Sequence, residues 1–122
     1  MSDAGTKGTM ELRRRAPRVA TPDWWGTYTD TDDVRYCKVI DISVLGVGLE
    51  LFGEVANDLI GHRLNIEIQA PVGESIVLGL RGTVKNVSLG SDGTTRAGLE
   101  FVDLSETERA ILNAMALMGI GW

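Results

Sequence analysis

Two short groups of residues in the first half of the chain have side chains of the types that bind phosphates and bases. The first is the run Arg13-Arg14-Arg15-Ala16-Pro17-Arg18, in which Arg14 and Arg18 stand four residues apart. Guanidinium groups stay ionised, grip phosphate through two parallel hydrogen bonds, and pair in the same way with the O6/N7 edge of guanine. Pro17 removes a backbone donor and disfavours a helical Ala16, so the run predicts an extended arm.

The second group is Asp41-Ile42-Ser43-Val44-Leu45-Gly46, a turn between two apolar runs. An ionised Asp41 can only accept hydrogen bonds, so it suits the N1–H and N2–H₂ edge of guanine, or an arginine. Ser43 offers one short donor and acceptor, and Gly46 lets a second backbone approach closely or adopts a positive φ. Together the two groups predict a site for a ligand that carries both phosphates and guanine bases.

Each group also has a plainer interpretation. The arginine run could be a solvated basic tail, and Asp, Ser and Gly all favour turns whatever their function. Cys37 and His62 do not suggest a nucleophile and base, because the sequence provides no third group to orient them. We expect Cys37 to be a small buried side chain and His62 to cap a turn at the surface.

Metal sites and catalysis are disfavoured by the residue types present. The acidic cluster Asp30, Asp32 and Asp33 suggests calcium, but an EF-hand loop would need an acceptor at Val34 and a glycine at Arg35. The single histidine excludes a site with several histidine ligands. We therefore predict no catalytic residues, no metal and no cofactor.

Length and charge point to one domain that binds a small anion. The chain has 122 residues, 43% of them hydrophobic, which is enough for a single core. Residues 1–18 hold five basic and two acidic residues, a net charge of +3. Since the whole chain has a net charge of −5, the remaining residues carry a net charge of −8. A nucleic-acid binder is more often basic along a whole face, whereas a short, dense cluster suits a small anion.

Hydropathy and cysteine content suggest a cytoplasmic protein. No apolar stretch approaches the roughly 20 residues that span a bilayer, and we expect neither a membrane span nor a signal peptide. One cysteine cannot form an internal disulfide and fits a reducing compartment.

Six runs predict strands, and the last segment predicts a helix. The strand patterns cover residues 24–29, 36–42, 47–51, 64–69, 76–87 and 96–101. Gly79 and Gly82 indicate bulges or a sharp bend in the fifth run, and Ser91-Asp92-Gly93 indicates a hairpin turn. The acidic residues 30–33 predict another turn.

The helical segment begins with a capping box formed by Ser105 and Glu108. Apolar residues at helical spacing follow, and Gly119 is expected to end a helix of about 14 residues; they are Ile111, Leu112, Met115 and Met118. The expected fold is mainly β, of the α+β class: a six-stranded antiparallel barrel over residues 11–104, after a tail at 1–10. A C-terminal helix at 105–122 packs on the barrel.

The ordered pair of motifs resembles the PilZ domain family. Arg14 and Arg18 match its RxxxR arm, and Asp41, Ser43 and Gly46 match its D/N-x-S-x-x-G turn. The run 98–101, Gly-Leu-Glu-Phe, resembles the closing strand of the family. Each motif alone is weak, but their order within six strands is much more specific. The sequence departs at Ala16, where relatives often carry an aromatic residue.

The resemblance implies a non-enzymatic receptor for the bacterial second messenger cyclic di-GMP. It assigns ligand contacts to Arg13, Arg14, Arg18, Asp41, Ser43 and Gly46, with Arg13 favouring a stacked ligand dimer. Closure of the arm would signal to an output protein not identified by the sequence. Alternatives are an interaction module of the same fold that does not need nucleotide, and a small nucleic-acid-binding barrel. The apolar C-terminal face could also dock a second copy as a homodimer.

Overall fold

The computed structural model describes residues 19–70, 76–90 and 93–117. Within these residues the chain forms six strands and one helix. The strands are β1 (Val19–Asp30), β2 (Asp33–Ile42), β3 (Gly46–Leu51), β4 (Arg63–Ala70), β5 (Ile76–Leu89) and β6 (Thr95–Phe101), and the helix is α1 (Glu106–Leu117). The predictions that fall on residues 1–18, Ser91, Asp92, Met118 and Gly119 lie outside the described residues.

The strands form one closed antiparallel barrel in the order β1-β2-β3-β6-β5-β4. β5 makes closure possible because it pairs with β4 through its first half and with β6 through its second half. The predicted six-stranded antiparallel barrel with a C-terminal helix is confirmed.

The core fills the barrel with the inward side chains of each strand. β3 shows the alternation most clearly, since Val47, Leu49 and Leu51 have no exposed surface. Cys37 is fully buried as expected, and its burial raises the pKa of the thiol to about 12. The adjacent tryptophans point to opposite faces: Trp24 lies in the core, whereas Trp25 is half exposed and stacks on Phe52.

The irregularity in β5 differs from the prediction. The register shifts between Val84 and Asn86, not at Gly79 or Gly82. Gly79 pairs regularly with Glu67, and a Cβ atom at Gly82 would stand 3.1 Å from the Leu99 side chain and 3.2 Å from the Glu100 carbonyl oxygen of β6. These glycines therefore do not mark a bulge, and Gly82 instead permits a close approach of two strands.

The helix begins with the predicted capping box. The Ser105 hydroxyl accepts from the Glu108 backbone N–H at 3.0 Å, and the Glu108 carboxylate accepts from the Ser105 N–H at 2.9 Å. α1 buries Leu112 and Met115 against the core. No helix among the described residues is both long and apolar enough to cross a bilayer.

Candidate functional site

The turn between β2 and β3 is built by the Ser43 side chain. Its hydroxyl accepts hydrogen bonds from the backbone N–H groups of Leu45 at 3.1 Å and Gly46 at 3.2 Å. The Ser43 N–H donates to the Gly46 carbonyl at 2.9 Å. Only 4% of Ser43 is exposed, so this hydroxyl fixes the turn from within.

Gly46 is placed where β3 meets β6. A Cβ atom at this position would overlap the carbonyl oxygen of Leu99, so only glycine allows the two backbones to come this close. The Phe101 N–H also donates to the Leu45 carbonyl at 2.9 Å, which ties the turn to the end of β6. Of the two roles expected for Gly46, the structure shows the close backbone approach.

Asp41 reaches the outer side of the barrel because β2 contains a bulge. The register shifts between Val39 and Asp41, and Val39 is fully buried. Strict alternation would point Asp41 inward as well, but the extra residue between them changes the phase. Asp41 is half-buried and lies opposite Gly48. A Cβ atom on Gly48 would stand only 2.8 Å from the Oδ1 atom of Asp41. Gly48 therefore leaves the space that the carboxylate fills.

The first described residues of the chain lie beside this carboxylate. Val19 pairs with Ile42, and Ala20 pairs with Asp41. Arg13, Arg14 and Arg18 lie outside the described residues, but Arg18 is bonded directly to Val19. The predicted arm is therefore attached next to Asp41, Ser43 and Gly46, which the structure brings together at one end of the β2–β3 hairpin.

Three further residues join this neighbourhood that the sequence motifs did not indicate. Gly48 pairs with Gly98 on β6, and Gly98 pairs with Asn86 on β5. The sequence signal was the alternation of Gly46 and Gly48, which places both on the same face of one strand. Nothing in the sequence alone connects that face to Asn86, because the connection runs through β6.

The outer face near Asp41 also carries basic side chains. Lys38 lies over the Trp25 ring, with Nζ 5.7 Å from its centroid, and pairs across the sheet with Glu50. Lys85, at the β5 bulge, lies 3.7 Å from the Glu100 carboxylate. The outer face therefore carries the Asp41 carboxylate, the Asn86 amide and two ammonium groups, which are the types of group that bind base edges and anions.

His62 lies away from this site, at the other end of the β1–β2 hairpin. Its Nδ1 atom is 2.8 Å from the Asp30 carboxylate, and Nε2 is 3.6 Å from that of Asp58. The hydrogen bond to Asp30 raises the pKa of His62. The His62 N–H also closes a turn on the Leu59 carbonyl at 2.9 Å.

Comparisons with known proteins give one family and several solved structures. The family model described as the PilZ domain matches residues 12–117. No curated protein matches the sequence. The PilZ domain of YcgR from Escherichia coli, solved with c-di-GMP, has a TM-score of 0.68 and 21% identity over 87% of this chain and 90% of its own.

Two longer proteins have the same fold over part of their length. The Bacillus subtilis inhibitor of motility, MotI, matches with a TM-score of 0.72 and 16% identity over 87% of this chain and 50% of its own. K. pneumonia MrkH, in complex with c-di-GMP, matches with a TM-score of 0.63 and 19% identity over 86% of this chain and 51% of its own. This chain therefore spans about half the length of MotI and MrkH.

Proposed function

The chain belongs to the PilZ domain family, and from that premise we propose that it is a non-enzymatic receptor for cyclic di-GMP. The observation that supports this most directly is the pairing of Ala20 with Asp41 at the start of β1. It brings Ala20, which follows Arg18 by two residues, opposite the residue that carries the carboxylate. The arginine run therefore ends two residues before a backbone position that is opposite the first residue of the Asp41–Gly46 turn.

Each part of the proposed site has a chemical task. Arg14 and Arg18 bind the phosphates and a guanine edge through paired N–H donors. Asp41 accepts from the N1–H and N2–H₂ groups of guanine. Ser43 holds the turn, and Gly46 keeps it tight against β6, so that Asp41 stays in position. Arg13 allows a second ligand molecule to stack on the first.

The binding energy comes mainly from charged hydrogen bonds. Each contributes about 1.5–3 kcal/mol, and ordering the arm offsets part of the total. Several such bonds are consistent with a dissociation constant on the order of 1 μM, or about −8 kcal/mol. Ligand binding must favour the closed arm over the open one, and the closed arm is what an output protein in the cytoplasm recognises.

Calorimetric titration with cyclic di-GMP tests the proposal, with cyclic di-AMP and GTP titrated separately as controls. The parent chain should bind cyclic di-GMP with about micromolar affinity and the other two much more weakly. Arg14→Ala and Arg18→Ala should each remove most of the binding, while Arg109→Ala, an exposed arginine on α1, should leave it unchanged.

Three outcomes would each contradict a different part of the proposal. A parent chain that does not bind cyclic di-GMP would show that the family fold serves another purpose here. Arginine variants that bind as well as the parent would show that the ligand lies elsewhere. A ratio of one ligand per chain would rule out the stacked pair assigned to Arg13.

A further inference from the structure

We propose that Asn86 is a specificity residue that donates a hydrogen bond to O6 of guanine beside Asp41. The inference rests on the proposed function, since it concerns the same ligand. It adds a residue that neither sequence motif contains, on a strand distant from both. The role follows from how four strands bring a carboxylate and an amide together on the outer wall.

Four residues on adjacent strands lie opposite one another across the barrel wall, with Asp41 and Asn86 at the ends and two glycines between them. Asp41 is opposite Gly48, Gly48 is opposite Gly98, and Gly98 is opposite Asn86. At Gly98 a Cβ atom would stand 2.7 Å from Oδ1 and 2.8 Å from Nδ2 of Asn86. The amide therefore covers Gly98 just as the Asp41 carboxylate covers Gly48.

The two glycines bring these polar groups close together. Asp41 and Asn86 are three strand positions apart, about 14 Å between backbones at roughly 4.8 Å a strand. The two glycines between them, Gly48 and Gly98, are directly opposite each other, and Cβ positions of such a pair are only about 5 Å apart. The Asp41 carboxylate lies over Gly48 and the Asn86 amide over Gly98, so the two polar groups are separated by roughly the distance between those two Cβ positions, about 5 Å. This is on the order of the width of one base edge.

Both side chains are turned outward by the same device. A bulge precedes Asp41 in β2, and another precedes Asn86 in β5. Asn86 is exposed, and its amide makes no hydrogen bond to another described residue. An amide held over a glycine and still facing solvent is ready to bind a ligand.

The chemistry of the pair matches guanine and not adenine. The Watson–Crick edge of guanine presents one acceptor, O6, followed by two donors, N1–H and N2–H₂. A carboxylate accepts from the donors but cannot donate to O6, whereas the amide of Asn86 can. Adenine has a lone pair at N1 and no amino group at C2, so it offers the Asp41 carboxylate no donor, whichever way the Asn86 amide turns.

The test replaces the amide with groups that lack the donor. Asn86→Asp keeps the size, and Asn86→Ala removes the group without adding charge. Each should weaken cyclic di-GMP binding at least tenfold in calorimetry. Cyclic di-IMP keeps O6 but lacks the N2 amine, so the variants should weaken its binding by a similar factor. Ser88→Ala, exposed on the same strand, is the matched control.

The outcomes separate this inference from the function on which it rests. If the parent binds cyclic di-GMP and both Asn86 variants bind it equally well, Asn86 does not read the base, and the proposed function stands. If the parent does not bind, both proposals are wrong. Thermal unfolding of each variant confirms that a loss of binding is not a loss of fold.

Discussion

Individual glycines in the barrel wall differ in what an added methyl group would meet. At Gly46 it would meet the backbone of β6, which cannot move without opening the barrel. At Gly48 the three nearest atoms all belong to the end of the Asp41 side chain. At Gly79 it would meet nothing within 4 Å. A methyl group added at Gly46 should therefore disturb the fold, one at Gly48 should disturb only the position of Asp41, and one at Gly79 should disturb neither.

We expect Gly48→Ala to fold and to lose at least tenfold in cyclic di-GMP affinity. The new methyl group takes the space of the Asp41 carboxylate and forces it to another rotamer. Calorimetry gives the affinity, and thermal unfolding gives the stability. Gly79→Ala, also in an outward strand position, should change neither quantity. Normal binding by Gly48→Ala would mean that the position of Asp41 does not matter.

Ser43→Ala should lower the free energy of unfolding by about 1–3 kcal/mol. The substitution leaves the N–H groups of Leu45 and Gly46 without their hydroxyl acceptor inside a buried turn. Urea denaturation measures the loss, and Ser88→Ala, an exposed serine, should stay within about 0.5 kcal/mol of the parent. An unchanged stability would show that Ser43 does not build the turn.

At the scale of the elements, α1 depends on the way it begins. Ser105→Ala removes the cap and should cost about 1 kcal/mol of unfolding free energy. Thr107→Ala, in the same first turn but outside the capping box, is the comparison to make in urea denaturation. Equal losses for both variants would contradict a specific role for the cap.

The strands that alternate regularly could be predicted from the sequence, and the bulges could not. β3 and β4 have an apolar residue at every second position, so one face had to be buried. The bulges near Asp41 and Asn86 depend on which residue of the neighbouring strand lies opposite, and a single run of sequence does not contain that information. For the same reason β1 begins earlier than predicted, where it pairs with the end of β2.

The candidate site also has a part that could be predicted from the sequence and a part that could not. Asp41, Ser43 and Gly46 are close in sequence and carry the turn chemistry that makes them recognisable. Asn86 lies 45 positions after Asp41, and only the pairing through β3 and β6 brings the two together. Long-range register determines this part of the site, which is why the motifs did not include it.

For the whole molecule, stability should depend on pH through His62. Its pKa is raised in the folded state by the hydrogen bond to Asp30, above the value of about 6.5 in the unfolded chain. The resulting stabilisation is fully present below about pH 6.5 and is lost as the pH rises through the folded pKa. The contact joins the end of β1 to the segment before β4, so it acts on global unfolding.

Asp30→Asn should therefore lower the melting temperature more at pH 6 than at pH 9, relative to the parent. Calorimetric unfolding across this range measures the difference. Asp32→Asn, an exposed neighbour in the same turn, should show no such pH dependence. If Asp30→Asn lowers the melting temperature by the same amount at both pH values, the protonated imidazole of His62 contributes nothing to stability.

The circular arrangement of strands also limits how other chains can recognise this one. Each of β1 to β6 has a hydrogen-bonded neighbour on both sides over at least part of its length, so none of the described strands is an open edge from end to end. Adding a strand to a sheet edge is a common way for β proteins to assemble or to aggregate. Among the described residues, only short stretches are open to it, such as residues 76–80 of β5 on the side away from β4. We therefore expect partners to recognise the barrel mainly through side chains on its outer faces.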